Sequence, residues 1–172
     1  DTQKYWLNSM SFLPDDTGDF TNSPWLAASD EGTVTYDRES RWINFGSWNA
    51  SSVPYYKMDF YYKGIRECNI FMQNVDRCSD PIITKEELAQ WKVQSRFARS
   101  YYYFLMMRIY GPVFLLGDEL LDFTASTEAL YRPRNTWEEC VNYVVSEMEA
   151  CIADPAMQAD YSDAEKGLAT AG

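Results

Sequence analysis

Residues 29–48 place aromatic, acidic and basic side chains within one short stretch, SDEGTVTYDRESRWINFGSW. Sugars present C–H faces that stack on aromatic rings, and hydroxyl groups that need hydrogen-bond donors and acceptors. The stretch offers both, with rings as the platform and charged groups as the polar contacts. We predict that it binds a ligand through Tyr36, Trp42, Asp37, Arg38, Glu39 and Arg41. The alternative is that the two rings only pin a long loop onto the rest of the fold.

Two groups of acidic residues suit other chemistry. Asp30 and Glu31 are paired carboxylates, as glycoside hydrolysis requires. Adjacent residues in a loop, however, rarely point at the same glycosidic bond, so a structural turn is the favoured interpretation. Asp15, Asp16 and Asp19 offer the hard oxygen ligands that Ca²⁺ prefers, although their spacing fits no EF-hand loop. We therefore predict no catalytic residue, no metal site and no cofactor.

Composition narrows the class of protein. The 172 residues contain no histidine, which removes the commonest general base and the commonest metal ligand. The formal net charge of -11 disfavours binding to nucleic acid and to anionic lipid headgroups. Hydrophobic residues make up 46% of the chain, too many for a disordered segment. We expect a folded chain, for which neutral ligands such as sugars or peptides remain open.

The four cysteines, Cys68, Cys78, Cys140 and Cys151, show no CxxC spacing. Cys68 and Cys151 fall on apolar helical stripes, where buried thiols are common. We expect most of the four to be free thiols in the core, and one disulfide remains open as an alternative.

Two segments of different character make up the chain. Turn-forming residues recur over residues 1–53, interleaved with aromatic rings, and this segment is predicted to be irregular. Residues 54–172 show helical periodicity. We predict a single-domain fragment over residues 1–172 that continues beyond residue 172, with 1–53 on the ligand side and 54–172 as a helical scaffold. No apolar run approaches the length of a membrane span.

Three helices follow from apolar spacing and capping signals. The first covers residues 55–75. The second begins after the capping box of Thr84 and Glu87 and ends at Gly111. The third begins after a second box, Thr136 with Glu139, and ends before Pro155. Its predicted apolar stripe contains Trp137, Val141, Val144, Met148 and Cys151. A further box, Ser162 with Glu165, predicts a fourth helix start.

These elements predict an all-α fold. Short connections favour antiparallel neighbours, so the helices should form stacked antiparallel hairpins. The result is a tetratricopeptide-like architecture without the strict repeat, preceded by a long irregular N-terminal loop region.

Four motifs follow one another over residues 55–172. The first helix carries Tyr62, Ile65 and Asn69. The second carries Ser95, Arg96, Phe97, Arg99, Tyr101, Tyr102, Tyr103, Phe104, Tyr110 and Gly111. Two further motifs contain Arg134 and Glu139, then Gly167, Ala169, Thr170 and Gly172. Their order resembles the SusD/RagB family of nutrient-binding proteins. Leu168 departs from the usual arginine of the last motif.

The resemblance implies a surface-exposed lipoprotein of the outer membrane of a Bacteroidetes-type bacterium. Such a protein binds oligosaccharides, performs no chemistry and delivers its ligand to a SusC-like TonB-dependent barrel. Its lipid anchor would lie upstream of residue 1. In the family, sugar-stacking rings follow soon after an Asp-Glu pair, which favours Tyr36. Arg96 and Arg99 are expected to pair with carboxylates or carbonyls inside the helical stack, and Asn69 to bond to the backbone of a neighbouring loop.

Three other functions stay open from the sequence. The RagB branch of the family binds peptides instead of sugars. A helical-repeat scaffold that binds only protein partners would have the same periodicity. A glycoside hydrolase fragment would need a pair of facing carboxylates and would turn its substrate over.

Overall fold

The fold is described from a computed structural model of the chain. The described residues are 2–14, 25, 28–30, 32, 35, 39–53, 56–121, 126, 128 and 131–158. Their helices are α1 (Thr2–Met10), α2 (Glu39–Asn44), α3 (Met58–Asn74), α4 (Lys85–Tyr110) and α5 (Trp137–Ile152), with a 3-10 turn at Val75–Arg77. No β-strand occurs among these residues, so the all-α prediction is confirmed.

The chain separates into two compact units. The helical unit comprises Asp1–Phe12 and Asp59–Gly172, and the loop unit comprises Leu13–Met58. The predicted division at residue 53, the single domain over 1–172 and the continuation of the chain stay predictions.

Local signals set the ends of α4 and α5. The backbone N–H of Glu87 donates to Thr84 Oγ1 at 3.1 Å, and the N–H of Thr84 donates to Glu87 Oε2 at 2.8 Å. Thr136 and Glu139 form the same reciprocal pair before α5. Gly111 ends α4 with a φ of 70°, a conformation that disfavours side chains. Both predicted capping boxes are confirmed, while Ser162 and Glu165 lie outside the described residues.

The helical unit is built from antiparallel neighbours. The rings of Tyr61 in α3 and Tyr102 in α4 stack with centroids 6.0 Å apart, and Lys92 reaches back to Asp76 at 2.6 Å. In the next pair, Tyr103 of α4 meets Tyr143 of α5 edge-on, at 5.3 Å. Residue numbers rise along one helix as they fall along its neighbour, as the predicted hairpins require.

The expectation of an irregular N-terminal segment is wrong for α1. Trp6 is buried, and its ring stacks on Trp91 of α4 with centroids 5.2 Å apart and planes 11° from parallel. Ser9 accepts a bond on its carbonyl oxygen from the Tyr102 hydroxyl, at 2.7 Å. α1 is therefore part of the core of the helical unit.

The buried side of α5 also differs from the predicted stripe. Trp137 is 52% exposed, whereas Cys140, Val144 and Cys151 are buried. The sulfur of Cys151 lies 3.8 Å from the carbonyl oxygen of Val93 on α4, and the sulfur of Cys140 lies 3.4 Å from that of Val113, just after α4. The inward side is set by the position of α4, which the apolar pattern of α5 alone left ambiguous.

All four cysteines are free, and Cys68, Cys140 and Cys151 are buried, which confirms the expectation of core thiols. Burial raises the pKa of the Cys68 thiol to about 12 and that of Cys151 to about 11. These thiols stay protonated at neutral pH and are poor nucleophiles. No described helix has both the length and the apolar composition needed to cross a bilayer.

Candidate ligand-binding site

Half of the predicted ligand-binding residues can be located. Tyr36, Asp37 and Arg38 lie outside the described residues. Glu39, Arg41 and Trp42 all lie on α2, a six-residue helix of the loop unit, where the sequence pattern had indicated irregular structure.

The backbone around α2 turns sharply at its end. The Gly46 N–H donates to the Ile43 carbonyl at 2.9 Å, and the Ser47 N–H donates to the Trp42 carbonyl at the same distance. Gly46 adopts a φ of 74°, which glycine tolerates best. These two hydrogen bonds join the residues after α2 to the last turn of the helix and fix the backbone that carries Trp42 and Phe45.

α2 presents an aromatic and basic surface to solvent. Trp42, on α2, is 42% exposed, and Phe45, the first residue after α2, is 70% exposed. The guanidinium carbon of Arg41 lies 5.3 Å from the centre of the Phe45 ring, within cation–π range. We call Arg41, Trp42 and Phe45 the α2 face.

The side chain of Arg41 is fixed at two points. Besides its contact with Phe45, its Nη1 donates to the carbonyl oxygen of Thr35 at 3.1 Å. A guanidinium carries five N–H donors, so further donors remain for a ligand. The α2 face thus joins an apolar platform with a held donor group, which are the two contacts that a sugar requires.

Phe45 was not among the residues predicted from the sequence to bind a ligand. Its signal was the spacing of four between Arg41 and Phe45, which brings the two side chains together only if the segment is helical. Tyr56, also in the loop unit, is a third exposed ring, at 58%. Glu39 is half-buried and opens α2, where a carboxylate favours the positive end of the helix.

The acidic candidates for catalysis or metal binding gain no structural support. Asp30 is exposed, and Glu31 lies outside the described residues together with Asp15, Asp16 and Asp19. Within the described part of the chain, no group of three or more His, Cys, Asp or Glu side chains is arranged to hold a metal ion.

A second polar cluster, in the helical unit, is a structural one. Arg99 donates to Glu147 Oε2 at 2.5 Å, to Asn69 Oδ1 at 2.8 Å and to Asp118. Arg96 reaches the same Glu147 carboxylate with two bonds, at 2.7 and 3.0 Å. These contacts confirm that both arginines pair with carboxylates inside the stack.

Asn69 completes this cluster by holding the segment after α4. Its Nδ2 donates to the carbonyl oxygens of Gly117 and Glu119, at 2.9 and 3.1 Å. Asn69 therefore bonds the backbone of a neighbouring loop, as expected. Burial opposes the charge of Glu147, but the hydrogen bonds from Arg96 and Arg99 outweigh it and hold the pKa of this carboxyl below its usual value.

Comparison with known proteins decides the family. Residues 19–159 match the sequence profile of the SusD-like family described as starch-binding and associating with the outer membrane. The chain belongs to the SusD-like family.

Solved structures agree with this assignment. The SusD-like chain is similar to a SusD-like protein from Bacteroides fragilis, with a TM-score of 0.73 and 23% identity over 99% of this chain and 32% of that one. It is similar to a laminarin-binding SusD-like protein, with a TM-score of 0.78 and 15% identity over 99% of this chain and 36% of that one. It is also similar to surface glycan-binding protein A from Bacteroides thetaiotaomicron, which was solved with laminarihexaose. The TM-score of this comparison is 0.68, with 18% identity over 99% of this chain and 35% of that one.

The TM-scores of these three comparisons show a shared fold. The SusD-like chain spans about a third of the length of the solved structures that it matches. No curated protein matches it.

Proposed function

We propose that the protein containing this chain binds oligosaccharides at the cell surface, and that the α2 face contributes to the contact. The observation that carries the proposal is the exposed Trp42 and Phe45 pair beside the guanidinium of Arg41, which two contacts hold in place. Tyr36, Asp37, Arg38 and Glu39 precede or open α2 and are proposed to extend the same site.

Family and neighbours favour a sugar over a peptide as the ligand. The family description is starch binding, and two of the similar structures are of proteins that bind laminarin or laminarihexaose. Stacking on exposed rings suits neutral sugars because it requires no opposite charge on the ligand. Peptide binding, as in the RagB branch, remains the second candidate only through family membership.

The rest of the proposal concerns partners and location. The protein is anchored to the outer membrane by a lipid upstream of this chain, and it passes its ligand to a SusC-like TonB-dependent barrel. It binds without breaking bonds. Solubilising the outer membrane in mild detergent and purifying the tagged protein tests the partnership: a TonB-dependent barrel should co-purify in stoichiometric amount, and its absence would contradict the delivery step.

Calorimetry of the full-length protein against neutral oligosaccharides tests the proposed ligand class. Laminarihexaose, maltohexaose and xylohexaose form a suitable panel, with a mixture of tryptic peptides as the comparison. Heat of binding with at least one hexaose supports the proposal. Heat with peptides alone supports the RagB-type alternative, and no heat with either class favours a scaffold that binds proteins. Reducing ends released during incubation would instead indicate a hydrolase.

A further inference from the structure

A cavity of about 430 Å³ lies between α1 and the end of α3, within the helical unit. We call it the α1–α3 cavity. Its floor is apolar and contains Phe71 and Val75, both buried. Its volume lies in the range of small-molecule sites and accommodates one or two sugar rings. None of its lining residues belongs to the α2 face.

An aromatic ring stands at the edge of this cavity. Tyr5 of α1 is 61% exposed although it borders an apolar floor. A tyrosine in this position offers its ring face to the C–H groups of a pyranose and keeps its hydroxyl group in water. The cavity therefore has the platform that sugar binding requires.

The charge of the cavity lining is opposite to that of the chain. The net charge of the chain is -11, yet the only charged side chain among the described residues that line the cavity is Arg77. Within the described part of the structure, Arg77 has one hydrogen-bond partner, Asn74 Oδ1 at 3.3 Å, and no carboxylate partner. Its guanidinium keeps donors in the fork geometry that matches a carboxylate.

The nearest acidic residue in sequence does not cancel this charge. Asp76 is bound by Lys92 Nζ at 2.6 Å. Charges elsewhere on the chain are screened beyond about 8 Å at physiological ionic strength. Among the described residues that line the α1–α3 cavity, the charge that a ligand meets is consequently that of Arg77.

We propose that the α1–α3 cavity binds a uronic-acid residue of a glycan, with its carboxylate on Arg77 and its ring against Tyr5. The inference rests on the proposed function, because it takes the ligand of the protein to be a glycan. It adds a second set of binding residues and a chemical class: an acidic sugar, in addition to the neutral sugars proposed for the α2 face.

Calorimetry of the full-length protein with tetragalacturonate and with a hyaluronan tetrasaccharide tests this proposal. At least one of these acidic probes should bind. Arg77→Gln should weaken that binding at least tenfold, and Tyr5→Ala should weaken it 5- to 30-fold. Raising NaCl from 50 to 500 mM should weaken binding to the unmodified protein but not to Arg77→Gln. Lys85→Gln removes one exposed charge from the start of α4 and should leave the affinity unchanged.

The outcomes separate this inference from the proposed function. If neither acidic probe binds, or if binding is indifferent to both Arg77→Gln and Tyr5→Ala, the inference is overturned. If acidic probes bind but only Trp42→Ala weakens them, the α2 face is their site, so the inference fails while the proposed function stands. Neutral hexaose binding should be unchanged in Arg77→Gln. The thermal unfolding midpoint of each variant confirms that it is folded.

Discussion

Glu147 on α5 and Arg99 on α4 form an ion pair with an N–O distance of 2.5 Å, and both side chains are almost removed from water, at 13% and 4% exposed. The same carboxylate also receives two bonds from Arg96. This one acidic residue therefore joins two helices through two arginines. Asp118 and Asn69 complete the bonds to Arg99, which links the segment after α4 to the same point.

Removing the carboxylate of Glu147 should destabilise the fold. Glu147→Gln leaves the buried guanidinium of Arg99 without its main partner. Breaking a buried ion pair in this way should cost about 3 kcal/mol of unfolding free energy. This is the low end of the usual range, because Asp118 still pairs with Arg99. Urea unfolding followed by circular dichroism measures the loss. Glu149→Gln, an exposed change on the same helix, is the matched control and should alter stability by less than about 0.5 kcal/mol.

The contribution of Glu147 to the free energy of unfolding should decrease at acidic pH. The pKa of this carboxyl is lowered in the folded protein relative to its ordinary value of 4.5, so its contribution is complete above that value and is lost as the pH falls through the folded pKa. The difference in unfolding free energy between the unmodified protein and Glu147→Gln should therefore be constant from pH 7 to 5 and shrink below about pH 4. A difference that persists undiminished at pH 3 would contradict this account.

Gly64 on α3 provides the space in which α3 meets α4. A Cβ at this position would lie 2.9 Å from Cε2 of Tyr102 and 3.0 Å from the side chain of Phe12. Tyr102 is fully buried, and its hydroxyl is bonded to Ser9, so it cannot move aside easily. Gly64→Ala should lower stability by about 1 kcal/mol although alanine favours helix, because overpacking exceeds the gain in propensity. Lys63→Ala, on the exposed side of α3, should be close to neutral.

The capping box before α4 should make a measurable contribution. Thr84→Ala removes the oxygen that accepts from the Glu87 N–H and should destabilise the protein by about 1 kcal/mol. Thr84→Ser keeps that oxygen and should restore most of the loss. Thermal unfolding of the three proteins distinguishes capping from a general effect of substitution at this site, since equal losses in both variants would exclude the cap as the cause.

Ligand affinity should respond to the α2 face. Trp42→Ala removes a 42% exposed ring and should weaken binding of a neutral hexaose by about 1–2 kcal/mol, or 5- to 30-fold. Phe45→Ala should have a similar effect and should also remove one of the two contacts that hold the side chain of Arg41. Trp137→Ala is the matched control, because this tryptophan is 52% exposed and belongs to α5 of the helical unit, not to the α2 face. If Trp42→Ala and Phe45→Ala bind the hexaose as tightly as Trp137→Ala and the unmodified protein do, the α2 face is not the ligand site.

The signals that predicted α4 and α5 correctly are local ones. A capping box needs only four consecutive residues, and Thr84 with Glu87 forms the same pair wherever the helix lies. Gly111 ends α4 for a similar reason, since its positive φ is a property of one residue. Such features depend on a few consecutive residues, so they can be predicted without knowing which helices pack nearby.

The features that were missed depend on partners distant in sequence. α1 has nine residues, too few to be stable by propensity alone, and its place in the core comes from the stack of Trp6 on Trp91. The exposure of Trp137 and the burial of Cys140 likewise follow from where α4 lies against α5.

The helical class, the ends of the long helices and the family can be predicted from the amino-acid sequence, because apolar periodicity, capping boxes and motifs depend on residues that lie close together in the chain. The exposure of the rings on and after α2, the sharing of Glu147 by two arginines and the cavity between α1 and α3 appear only in the folded structure. Burial is a property of the assembled chain: a side chain is hidden or exposed according to the elements that fold against it.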